Sequence, residues 1–190
     1  MMNSLLFINA CVRKESRTKM LADRLLSKLD NDYDEVCLDK LEFPTVNEDY
    51  LMKRDSLIAN KDFDAPMFGL ARQFAEAKTI VIAAPFWDLS FPAKLKQYLE
   101  IINVVGITFK YSDEGVPIGL CNAKKLYYVT TAGGDYVPFD FGYGYVKALA
   151  QGYYGINEVE LIQAKGLDIY GVDVNEILGN VEKDILRMEG

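Results

Sequence analysis

The sequence predicts a single α/β domain over residues 1–190, built on a doubly wound five-stranded parallel sheet of order 2-1-3-4-5. Short apolar, β-branched runs alternate five times with segments of helical periodicity, which is the pattern of repeated βα units. One run, Thr79 to Ala84, is almost wholly apolar, as a central parallel strand covered on both faces requires. The chain of 190 residues, 50% of them hydrophobic, is also long enough to cover such a sheet on both sides.

Taken in order, Ser4 to Asn9 reads as the first strand and Ser16 to Leu29 as the first helix, with Met20, Leu21, Leu25, Leu26 and Leu29 spaced for one buried face. Tyr33 to Leu38 alternates apolar and acidic residues and fits a second strand at a sheet edge. Residues 40–77 make a long crossover, with Pro44, a charged segment around Glu48 to Asp55 and a helix-like stretch ending at Ala77. Thr79 to Ala84 is the third strand, and Pro85 stops its ladder. Ser90 and Pro92 resemble an N-cap and an early-turn proline for a third helix running from about Pro92 to Asn103. Between Gly106 and Leu120, two short β runs flank a Ser-Asp-Glu-Gly turn, a hairpin inserted after the third helix. Lys125 to Thr131 is the fourth strand, Val146 to Tyr153 a helix, Glu158 to Ala164 the fifth strand and Val174 to Met188 the closing helix. Right-handed crossovers wind these units into a flavodoxin-like sheet, whose ligand crevice lies at the carboxyl edge beside strands one and three.

Composition removes whole classes of function. A net charge of −7 opposes duplex nucleic-acid binding, which needs clustered Lys and Arg. The chain contains no histidine, so Ser-His-Asp triads, Cys-His proteases and His-ligated zinc are excluded. Cys11, Cys37 and Cys121 lie far apart with no CxxC pair, which fits reduced thiols in a cytoplasmic protein and no metal site. No apolar stretch is long enough for a signal peptide or a membrane span.

Three loops are expected to converge on the carboxyl edge. Ala10-Cys-Val-Arg-Lys-Glu-Ser-Arg-Thr18 places hydroxyls and a guanidinium at a helix amino end, an anion-binding arrangement, although Ser16 also reads as a plain N-cap. Pro85, Phe86, Trp87, Asp88 and Leu89 form an aromatic turn after the central strand. Thr131-Ala-Gly-Gly134 allows close approach of backbone to a flat ligand, or simply makes a turn. Phosphate, flat ring and backbone donors would thus meet at one place. The run Phe139, Phe141, Tyr143 and Tyr145 fits core packing or an oligomer interface better than a substrate platform.

Asn9-Ala-Cys-Val-Arg-Lys-Glu-Ser-Arg-Thr18, Ala84-Pro-Phe-Trp-Asp-Leu-Ser-Phe-Pro-Ala-Lys-Leu-Lys96, Gly106-Ile-Thr-Phe-Lys-Tyr111 and Thr131-Ala-Gly-Gly134 resemble, in the same order, blocks of the FMN-dependent NADH azoreductase and NAD(P)H:quinone oxidoreductase family. The resemblance implies a homodimeric flavoenzyme with FMN bound and NADH or NADPH as co-substrate. Hydride would reach flavin N5 and leave to a quinone or azo compound in a ping-pong cycle. Cys11 would lie beside the FMN phosphate, held by Ser16, Arg17 and Thr18. Pro85 to Leu89 would line one side of the isoalloxazine, and Thr131, Ala132, Gly133 and Gly134 would face its pyrimidine side. Trp87, Tyr111, Tyr136 and Tyr153 would enclose the substrate pocket, Tyr111 and Tyr153 from the partner subunit. No side chain need act as acid or base, in keeping with a histidine-free chain.

The chain departs from the family pattern at three places. Cys11-Val12 stands where Ser-Pro is frequent, exchanging a hydroxyl for a poorer donor. Asp88 stands where Asn is frequent, and its carboxylate is expected to turn away from the flavin. Asp135-Tyr136 replaces a stretch that sometimes holds histidine. Two rival readings share the topology. An FMN electron carrier without its own nicotinamide reaction would suit the acidic balance, while a phosphoacceptor receiver lacks the acidic pair needed for magnesium after strand one.

Overall fold

Parity along the strands decides the layers of the molecule. In the computed structural model, which describes residues 4–188, strands β1 (Leu5–Asn9), β2 (Asp34–Cys37), β3 (Thr79–Ala83), β6 (Lys125–Thr131) and β7 (Glu158–Ala164) form one parallel sheet in the order β2-β1-β3-β6-β7. The intervening numbers belong to β4 (Phe109–Tyr111) and β5 (Pro117–Gly119), which pair antiparallel with each other. Among the strands of the parallel sheet alone, the order is the expected one.

Successive side chains point to opposite faces of a strand. Leu6, Ile8, Ile80, Ile82, Leu126 and Tyr128 enter one core, closed by α3 (Gly69–Glu76), α4 (Ala93–Ile102) and α5 (Tyr143–Leu149) through Phe74, Leu95, Leu99 and Val146. Leu5, Phe7, Val81, Ala83, Tyr127 and Val129 enter the other, closed by α1 (Arg17–Leu29) and α6 (Val174–Arg187) through Leu21, Leu25, Leu26, Leu178 and Ile185. The register sets Phe7 beside Val81 and Val81 beside Tyr127, so each core is a continuous apolar layer across the central strands. Ile80 to Ala84 are wholly inaccessible, as the unbroken apolar run at this point demands.

Four local features differ from the sequence reading. The charged segment after Pro44 folds as a full helix, α2 (Glu48–Ala59), with Asn47 as N-cap accepting from the Tyr50 N–H at 2.9 Å. Its apolar residues form no stripe and none is buried, so periodicity gave no signal. The crossover therefore holds two helices, and the antiparallel pair follows the fourth helix of the chain. Ser90 does not cap α4; Pro92 occupies that position, and the Ser90 hydroxyl donates to the Phe141 carbonyl. Finally, α5 begins at Tyr143 and passes into a π-helical turn, Ala150–Tyr154, that ends at Gly155 with φ +76°. Gly155 backs directly onto Gly119 of β5: a Cβ on Gly119 would lie 2.2 Å from the Gly155 nitrogen, so the two backbones touch.

Candidate active site

Four loops meet at the carboxyl edge of the sheet around a cavity of about 350 Å³. The first follows β1. Asn9 Oδ1 accepts from the Cys11 N–H at 2.9 Å while the Asn9 amide donates to Glu35 Oε1 at 2.8 Å, bending the chain away from the sheet. Ser16 then caps α1, its Oγ accepting from the Lys19 N–H at 3.2 Å. Arg17 and Thr18 occupy the first turn, where N–H groups lack intrahelical partners and the dipole is positive. Thr18 is buried, with Oγ1 2.7 Å from Thr131 Oγ1. One hydroxyl proton of that pair is spent between them and the other is available to a ligand.

The aromatic wall follows β3. The Phe86 N–H donates to the Thr131 carbonyl at 3.0 Å, and Trp87 and Ser90 exchange backbone bonds of 3.1 and 2.8 Å across a two-residue turn. Both central residues have positive φ, Asp88 at +49° and Leu89 at +67°. A non-glycine residue in this region carries about 1–2 kcal/mol of strain. The hydrogen bonds of the turn consume the N–H groups of Phe86, Trp87 and Ser90 and leave those of Asp88 and Leu89 as its donors. Pro85, Phe86 and Trp87 line the cavity, while Asp88 and Leu89 stand exposed at its rim.

The third wall comprises Thr131, Ala132 and Gly133 at the end of β6. A fourth, unanticipated from sequence, is Leu167 and Asp168 after β7. The N–H groups of Gly166, Leu167 and Asp168 donate to the carbonyls of Gly134, Ala132 and Gly133 at 3.1, 3.2 and 2.9 Å, prolonging the contact of the two strands beyond their ends. A Cβ on Gly133 would lie 2.3 Å from Asp168 Oδ2, so the carboxylate rests directly against the glycine. Asp168 Oδ1 in turn accepts from Arg17 Nη1 at 2.8 Å. A signal was available: Gly166 after an apolar strand, held here at φ +75°, marks a loop at the same edge. Val12, Arg13 and Glu15 complete the lining, so two guanidinium groups face two carboxylates.

The cavity therefore gathers Ser16, Arg17, Thr18, Pro85, Phe86, Trp87, Thr131, Ala132 and Gly133 from three separate loops. Gly134 lies just outside it. Cys11 does not line it either: its buried thiol lies 3.8 Å from the Ala83 carbonyl, and burial pushes its pKa up to about 11. Of the four aromatic residues expected around a substrate, only Trp87 lines the cavity. Tyr136 is exposed, and Tyr111 and Tyr153 are grouped with Phe109, whose ring centroid is 5.5 Å and 4.6 Å from theirs. A hydrogen bond from the Tyr111 hydroxyl to Tyr153 raises the Tyr111 pKa. In the aromatic run, Tyr143 and Tyr145 pack on the core, whereas Phe139 and Phe141 are exposed. Among the described residues no cluster of His, Cys, Asp and Glu is arranged to hold a metal, and no helix is long and apolar enough to cross a membrane.

A doubly wound sheet with a helix amino end, an aromatic wall and a glycine wall around one cavity at its carboxyl edge has the layout of the nucleotide-cofactor-binding α/β class. The family model described as "Flavodoxin-like fold" matches residues 3–187. An FMN-dependent NADH:quinone oxidoreductase of Clostridium perfringens is 37% identical over 194 residues, covering 97% of each chain, and one from Clostridium beijerinckii is 37% identical with 93% of each covered. This chain belongs to the flavodoxin-fold family of FMN-dependent NADH:quinone oxidoreductases. Among solved structures, an azoreductase from Bacillus anthracis superposes with a TM-score of 0.82 at 26% identity over 95% of both chains. A second Bacillus anthracis structure, an FMN-dependent NADH-azoreductase in complex with FMN, shares the fold with a TM-score of 0.79 at 23% identity, covering 97% of this chain and 96% of that one.

Proposed function

We propose that this protein is an FMN-dependent NAD(P)H oxidoreductase that reduces quinones or azo compounds. The observation that carries the proposal is the single cavity in which the α1 amino end, the Phe86–Trp87 wall and Gly133 are brought together. Its chemistry fits the cofactor. Unpaired N–H groups and Arg17 suit a phosphate, and the Asp88 and Leu89 N–H groups are donors at the rim. Ser16, Arg17 and Thr18 would hold the phosphate, Pro85 to Leu89 one side of the ring, and Thr131 to Gly134 the other. When bound, FMN supplies the redox chemistry: hydride uptake at N5 from the nicotinamide and transfer to the acceptor in a separate half-reaction, a ping-pong cycle.

The protein's own contribution is orientation and desolvation. Phe86 and Trp87 offer a stacking surface that excludes water, and backbone N–H groups offer fixed dipoles to charge that develops on the ring. The relatives' names support an enzyme over an electron carrier. Tyr111 and Tyr153, set apart from the cavity of their own chain, are read as completing the substrate pocket of a second copy in a homodimer, with the 109–119 hairpin as the inserted element that presents them. Anaerobic addition of NADH or NADPH to flavin-reconstituted protein is expected to bleach the flavin absorbance, with subsequent quinone restoring it. Absence of bleaching with either nucleotide overturns the proposal.

A further inference from the structure

Arg17, the cation at the phosphate corner, is already engaged. Its guanidinium donates to Asp168 Oδ1 at 2.8 Å, and both side chains are substantially open, 43% and 69% exposed. The backbone N–H of Asp168 donates to the Gly133 carbonyl at 2.9 Å, and its Oδ2 lies where a Cβ on Gly133 would be. The carboxylate thus lies between the glycine wall and the first turn of α1, and it lines the cavity itself. A phosphate carrying about two negative charges near pH 7 would meet Arg17 with that carboxylate at its side. The attraction of the one is offset by the repulsion of the other, since both act over similar distances through solvent-exposed surroundings.

Resting on the FMN reading above, we infer that Asp168 is a specificity-determining residue of the cofactor site: it limits the contribution of the phosphate to binding and so narrows the preference for FMN over its unphosphorylated counterpart, riboflavin. The effect arises from charge, not from the shape of the loop, because the three backbone hydrogen bonds of residues 166–168 do not involve the carboxylate.

The test compares FMN and riboflavin affinities, by quenching of flavin fluorescence, for the wild-type chain, Asp168→Asn and Asp168→Ser. Asn keeps an acceptor for Arg17 while Ser abolishes the contact; neither carries charge. Both variants are expected to bind FMN about threefold more tightly at low ionic strength. Riboflavin affinity stays unchanged, and the gain fades at about 1 M salt, where the screening length is a few ångströms. Equal shifts for both flavins, or unchanged or weaker FMN binding by the variants, overturn the inference and leave Asp168 a structural clamp. Failure of the wild-type chain to bind either flavin overturns the FMN reading and this inference with it.

Discussion

Tyr98 is fully buried on α4, and among the described residues its hydroxyl has no hydrogen-bond partner. A buried hydroxyl left unsatisfied costs about 1–3 kcal/mol relative to its hydrated state. Tyr98→Phe keeps the ring, which packs edge-on against Phe74 at 6.5 Å, and removes only the orphan oxygen. Urea denaturation is expected to show stabilisation of about 1 kcal/mol; destabilisation of that size would mean that the hydroxyl has a partner in solution. Cys11 makes a second prediction at this scale. With its pKa raised by burial to about 11, the folded chain keeps a thiol proton that the unfolded chain loses above about pH 9. Its contribution is fully present below pH 9 and is lost as pH climbs toward 11. Cys11→Ala is therefore expected to flatten the decline in stability between pH 9 and pH 10.5, measured as the urea midpoint at each pH. A slope identical to that of the wild type would refute the assignment.

At the scale of elements, how visible a segment was in the sequence follows how it is buried. β3 was readable because both its faces are covered, and α1 because Leu21, Leu25 and Leu26 share one face. α2 was not, since none of its residues is fully buried and only Leu57 and Ile58 rest partly on the core. With so little packing, its amides are expected to exchange with deuterium orders of magnitude faster than those of β1 and β3. Asn47→Ala should further loosen it by about 1 kcal/mol, with no change in the core strands. Comparable protection of α2 and β3 would show that a second molecule covers it. In the candidate site, loops adjoining recognisable strand ends were legible, from Ser16 to Thr18 and from Pro85 to Trp87. Asp168 was not, because nothing in Gly166-Leu167-Asp168 taken alone indicates that its carboxylate meets Arg17, 151 positions away. The strained turn at Asp88 and Leu89 was equally hidden, since leucine is a poor guide to positive φ.

For the whole molecule, the cavity ties together elements from both ends of the chain, so a ligand bound there should stabilise all of it. FMN at about one hundred times its Kd is expected to add about 2.7 kcal/mol to unfolding and to raise the melting temperature, an effect absent with adenosine alone. A homodimer of the 21.4 kDa chain would elute at twice that mass and should break down when Tyr153 or Phe141 is replaced by Glu, if these exposed or half-buried rings face the partner. Persistence as a monomer at all concentrations would reject the two-chain pocket. The contact between Gly133 and Asp168 also makes one wall of the cavity adjustable. A Cβ at 133 would press on the far end of the Asp168 side chain, which is 69% exposed and can swing into solvent. Gly133→Ala is therefore expected to be tolerated in the parent, with the Asp168 carboxylate displaced from Arg17, and to cost less still in an Asp168→Gly background.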